Sequence, residues 1–114
     1  MRLLRWLTRN WADTDEGDDP ALAPPELSLP PDAALHRLRS VVERLPRWRV
    51  EATDAQAGTL HAVRTTRLGF RDDIHLRLEA LAGGTRVHAR SASRVGKGDF
   101  GQNRRNLLEL FAGL

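Results

Sequence analysis

From Trp48 to Val95 the apolar residues keep largely to every second position, a spacing that extended strands turn into one oily face. Trp48, Val50 and Ala52 form one such set, and Leu60, Ala62, Leu68 and Phe70 a second. Ile74, Leu76 and Leu78 form a third, and Val87, Ala89, Ser91 and Val95 a fourth. At the intervening positions stand His61, Thr65, Arg67, His75, Arg77, Glu79, Arg86, His88, Arg90 and Arg94. Ala57 with Gly58, the run GFRDD, and Gly83 with Gly84 separate the sets, and these connections are short enough for antiparallel hairpins. A sheet with one apolar face has to be covered on that face alone.

The cover is written on either side. In the segment after Pro30 and Pro31, Ala34, Leu35, Leu38, Val41, Val42 and Leu45 recur at helical spacing until Pro46 stops them. A final helix from about Gln102 places Leu107, Leu110, Phe111 and Leu114 on one side. The expected fold class is α+β: a two-layer sandwich with a four-stranded antiparallel meander and two helices on one face, in the order α-β-β-β-β-α. The run ELSLP is a candidate short edge strand.

Three units are expected: residues 1–12 as an amphipathic basic helix, 13–30 as a linker, and 31–114 as the single folded domain. In the first, Leu3, Leu4, Trp6, Leu7 and Trp11 gather opposite Arg2, Arg5 and Arg9, a pattern suited to an anionic membrane surface or a partner. It lacks the apolar core and cleavage site of a secretory signal, and no transmembrane stretch is present. The second unit opens with the acidic run DTDEGDD and continues with prolines, which reads as flexible and partly extended chain.

The chain has 114 residues, no cysteine and a formal charge of +3, so thiolate metal sites and disulfides are excluded. Lys97 is the only lysine, and the remaining positive charge is arginine, whose planar fork suits carboxylate and phosphate, although a GC-rich genome gives the same bias.

From Gly69 onward, GFRDDIHLRL and VHARSASRVGKGDFGQNRRN resemble the signature of domain of unknown function 1499. The matching positions are Phe70, Asp72, Asp73, Arg90, Ser91, Ser93, Arg94, Gly96, Asp99, Gly101, Asn103 and Arg104. Asn106 departs from it, standing where many relatives carry a basic residue. The resemblance covers roughly Pro31 to the C-terminus and implies a shared fold; it implies no activity.

Within this signature Gly96, Gly98 and Gly101 have the spacing of a dinucleotide loop, but no second parallel strand and acidic residue can follow it. The reading preferred here is structural: Asp99 caps the last helix, Gln102 reaches back as in a capping box, and the glycines shape the turn. A hairpin turning at Ala82 and Gly83 pairs residues whose numbers sum to 165. That register sets Asp73 diagonally beside Arg90 and Arg94, and Asp72 on the other face near Ser91 or Ser93.

The same parity separates His88 from Ser91 and Ser93, which removes a serine triad. His61, His75 and His88 share the polar face with arginines that repel a cation, so no metal is expected, and no cofactor either. Without aromatic rings on that face, nucleic acid is disfavoured as a partner. The leading expectation is a non-catalytic cytoplasmic domain that binds an anionic ligand or protein through Arg77, Arg90, Arg94, Lys97, Arg104 and Arg105, peripheral to a membrane through its N-terminal helix. The alternatives are an enzyme acting on an anionic small molecule with Asp72, His75 and Arg90, and a structural subunit of an oligomer.

Overall fold

The structure, a computed structural model, describes residues 9–17, 19–96 and 99–114. Its elements in chain order are β1 (Trp11–Asp13), a 3-10 turn (Pro20–Leu22), β2 (Glu26–Leu27), α1 (Pro31–Arg44), β3 (Trp48–Asp54), β4 (Thr59–Thr65), β5 (Arg71–Leu81), β6 (Gly84–Ser93) and α2 (Gln102–Ala112). The class is α+β, with two helices over a largely antiparallel sheet.

Helix α1 begins where the sequence dictates. Pro31 occupies its first turn, where a missing N–H costs nothing, Asp32 sits at the positive end of the dipole, and the chain turns extended at Leu45 before Pro46. Ala34, Leu35, Leu38, Val41 and Val42 are buried, while His36, Arg37, Arg39 and Glu43 are wet. They meet the inner side of the sheet, Leu60, Ala62, Ile74, Leu76, Val87 and Ala89, together with Leu107 and Leu110 of α2, in one core.

The sheet has six strands rather than four, in the order β1-β6-β5-β4-β3, with β2 also paired to β6. Strand β1 lies beside Arg90 to Ala92 and β2 beside Thr85 and Arg86, so the two short segments share one edge of β6. The N-terminal helix therefore needs correction at its end: Trp11 and Ala12 belong to a strand. The rest of that expected helix, with Leu3, Leu4, Trp6 and Leu7, lies outside the described residues.

The acidic, proline-rich stretch is likewise docked along its length rather than free. Thr14 exchanges hydrogen bonds with Ala89, the 3-10 turn buries Leu22, and the Val87 N–H donates to the carbonyl of Pro25. Prolines that stiffen a linker also suit a chain lying along a sheet edge, where few of its amides are needed. The edge strand expected at ELSLP is β2.

Between β5 and β6 the register runs from Asp72 opposite Ser93 to Leu81 opposite Gly84, the pairing expected from the hairpin turn. Between β3 and β4 it slips at Val50/Ala52. The extra residue of this bulge turns Ala52 to the outer face, opposite His61, and removes it from the apolar set. Leu68, Phe70 and Val95 also leave their expected inner positions and are exposed, since they lie beyond the ends of the strands.

Candidate functional site

The signature residues divide by parity between the two faces of the sheet. On the inner side, Asp72, Ser91, Asn103 and Asn106 are all buried. Asn106 Nδ2 donates to the Asp72 carboxylate at 2.8 Å and to Ser91 Oγ at 3.1 Å. Ser91 Oγ donates to Asn103 Oδ1 at 2.6 Å, and Asn103 Nδ2 reaches Ser93 Oγ and the Asn10 carbonyl, each at 2.8 Å. This network fastens α2 and the residue before β1 to the sheet and gives each of these four buried side chains a hydrogen-bond partner. Ser93 and Asn103 are thus members of one hydrogen-bond network. Asn106, the departure from the family pattern, is one of the buried connections.

The glycine loop ends in the same network. Asp99 accepts hydrogen bonds from the N–H groups of Gly101 at 2.8 Å and Asn103 at 3.0 Å, so its own carboxylate takes the first-turn amides that an anion would need. Gly96 and Gly101 have positive φ, as the turn requires. Gln102 does not reach back; its side-chain amide donates to Asn106, which corrects the capping-box expectation.

The outer face is open. Arg94 forks onto Asp73 at 2.8 and 2.9 Å, and His61 Nε2 meets the same carboxylate at 2.8 Å. The Arg94 hydrogen bonds hold the Asp73 carboxyl well below the ordinary carboxylate range, against the opposing effect of its burial, and His61 lowers it further. Arg90 is not the second clasp on Asp73. It pairs with Asp13 of β1 at 3.2 Å and lies 4.6 Å over the ring of Trp11, whose neighbour Arg9 is 4.2 Å from the same ring. His88 stands between Asp15 at 2.7 Å and Glu79 at 2.8 Å, and its hydrogen bond is the main reason the Glu79 carboxyl is lowered.

Of these side chains His61, His88 and Arg90 line a cleft of about 330 Å³, together with Asp13, Asp15, Asp54, His75 and Arg77. His75 stacks on His61 with ring centroids 4.3 Å apart and makes no side-chain hydrogen bond among the described residues. Desolvation lowers its pKa, and the neighbouring His61 and Arg90 charges add to that, outweighing Asp73. Neutral imidazole is therefore presented between Arg90, directly across the strand, and Arg77, two residues along β5. Among the described residues no three His, Asp or Glu side chains are placed to hold a metal.

The sequence-selected cations do not form one surface. Arg77 and Arg90 line the cleft, and Arg94 is on the same face but bound to Asp73. Arg104 and Arg105 belong to the helical layer, where Arg104 pairs with Asp19 at 2.7 Å and Arg105 donates to the Phe100 carbonyl at 2.9 Å. Lys97 lies outside the described residues. The trio Asp72, His75 and Arg90 is broken by the sheet itself, because Asp72 is under it and the other two are above, so the enzyme built on those three residues is withdrawn. Sequence reasoning missed Asp13 and Asp15 as cleft walls because it placed them in a linker.

Among the described residues no helix is long and apolar enough to cross a membrane. No curated protein and no solved structure matched the chain. The model of a family described as "Protein of unknown function (DUF1499)" matches residues 8–114, a span that takes in β1 and β2. On that match over nearly its whole length, the chain belongs to the DUF1499 family.

Proposed function

We propose that this domain is a non-catalytic binding module that receives a small anionic molecule in the cleft on the open sheet face. The observation that carries the reading is His75: an exposed ring, neutral at pH 7 and free of side-chain hydrogen bonds, between two guanidinium groups. Arg77 supports it further, since its nearest carboxylate, Asp15, is 3.7 Å away and leaves the fork open to a ligand. The cleft also carries Asp13, Asp15 and Asp54 with the hydroxyls of Thr53 and Thr59, so the ligand that fits has hydroxyl or ammonium donors beside its anionic group.

Calorimetric titration with a series of small hydroxy- and amino-carboxylates and their phosphorylated counterparts tests the reading. Binding of at least one, weakened roughly tenfold by Arg77→Ala, which removes one charge-assisted contact, is the expected result. Equal affinity in the variant, or no binding across the series, would contradict it.

A further inference from the structure

We propose that one end of the sheet is a docking surface for an anionic lipid bilayer. Four large apolar residues are exposed there: Leu68 by 85%, Phe70 by 52%, Val95 by 58% and Phe100 by 77%. Leu68 and Phe70 project from the β4–β5 loop, which is tied across its base. The Thr66 N–H donates to the Phe70 carbonyl at 2.7 Å, the Phe70 N–H to Thr66 Oγ1 at 3.0 Å, and the Gly69 N–H to the Thr66 carbonyl at 3.0 Å. A loop held in this way displays its side chains with little ordering left to do on binding.

The Arg94 N–H bonds the Arg71 carbonyl, one step beyond the β5–β6 ladder, which brings Val95 to this end beside Phe70. The turn bearing Phe100 joins it, because the Asp99 N–H bonds the carbonyl of Arg9 and the Ser93 N–H that of Asn10.

Charge identifies the occupant. Arg47, Arg67 and Arg71 stand at this end, and none makes an ion pair among the described residues, in contrast to Arg90, Arg94 and Arg104. Arg47, Arg49 and Arg67 line a groove of about 530 Å³ with the hydroxyl-bearing Thr65 and Thr66 and no carboxylate, and Arg49 is the one of the three with an acidic partner, Glu51 at 3.0 Å. Guanidinium and hydroxyl groups beside an apolar tip match a phosphate headgroup lying above acyl chains.

The chain enters at the same end through Arg9, preceded in sequence by Leu3, Leu4, Trp6 and Leu7 with Arg2 and Arg5. Those arginines argue against that segment as the cover of the tip, since like charges would meet; both are complementary to one anionic surface. Nothing in the cleft is required for this docking, so the two proposals stand or fall separately.

Co-sedimentation of the full chain with phosphatidylcholine vesicles, with and without phosphatidylglycerol, tests the proposal. The expected result is binding to the anionic vesicles only, weakened at least about tenfold by Leu68→Ser with Phe70→Ser, and likewise by Arg67→Glu with Arg71→Glu, each variant keeping the wild-type circular dichroism. The proposal is overturned by failure of the wild type to bind anionic vesicles, or by tip variants that bind as well as it does. Loss of binding through Leu3→Ser with Leu7→Ser alone would assign the membrane to the N-terminal segment instead. A concentration-dependent dimer that the Ser variant abolishes would assign the tip to a second copy.

Discussion

Asp72 and Asp73 are consecutive in the chain and are sent to opposite sides of the sheet, where they do different work. The Asp73 carboxyl is held below its ordinary value by Arg94, so its ion pair is made in the fold and absent from the unfolded chain. A depressed folded pKa stabilises at pH values above the unfolded one, about 3.9, and the contribution disappears as pH falls through the folded value. Asp73→Asn is therefore expected to cost about 1 kcal/mol at pH 7, the modest size reflecting a partly exposed pair. In urea unfolding at a series of pH values, the gap between variant and wild type should close in strong acid.

Asp72 is 2% exposed and depends on Asn106. Asn106→Ala should cost about 3 kcal/mol by leaving a buried carboxylate without its donor. Asp72→Leu combined with Asn106→Leu should recover a good part of that loss, because apolar groups of similar volume leave nothing to satisfy. Thermal unfolding of the single and double variants measures both.

Among the elements, hairpins were the most legible and edges the least. A two-residue turn fixes the register of everything behind it, which is why the β5–β6 pairing, and with it the contact between Asp73 and Arg94, could be read from numbers alone. Alternation is blind to an inserted residue, so the bulge that turns Ala52 outward left no mark in the sequence. Trp11 and Ala12 show a second limit: a few residues with apolar ends satisfy a helical wheel and a strand equally well, and only the free edge of β6 decides between them.

The stretch 13–30 misleads in the same way. Leu22, in a stretch dominated by acids and prolines, is 2% exposed within the core cluster and anchors that stretch. Leu22→Ala should destabilise by about 2–4 kcal/mol, the range for deleting a buried leucine side chain. A flexible linker would show almost none. Hydrogen exchange at the Val87 amide, bonded to the Pro25 carbonyl, should accelerate in the same variant.

At the scale of the whole molecule, one sheet divides two kinds of chemistry. Beneath it, Asp72, Ser91, Ser93, Asn103 and Asn106 join α2 and β1 to the sheet; above it, Asp73, Glu79, His88, Arg90 and Arg94 are paired, while His75 and Arg71 make no ion pair among the described residues. The division follows from strand parity, which made the open face readable in advance. The depth of the cleft was not readable, since its wall at Asp13 and Asp15 comes from a strand that composition hid.

Histidine side-chain NMR tests this division directly, because the four imidazoles sample both layers: His61, His75 and His88 on the open face and His36 on the wet side of α1. His75 is predicted to titrate below the unperturbed value of about 6.5. On addition of an anionic ligand found by calorimetry, its ring resonances should move furthest while those of His36 stay in place. Equal movement of all four, or a response confined to His36, would contradict the assignment of the cleft as the binding site.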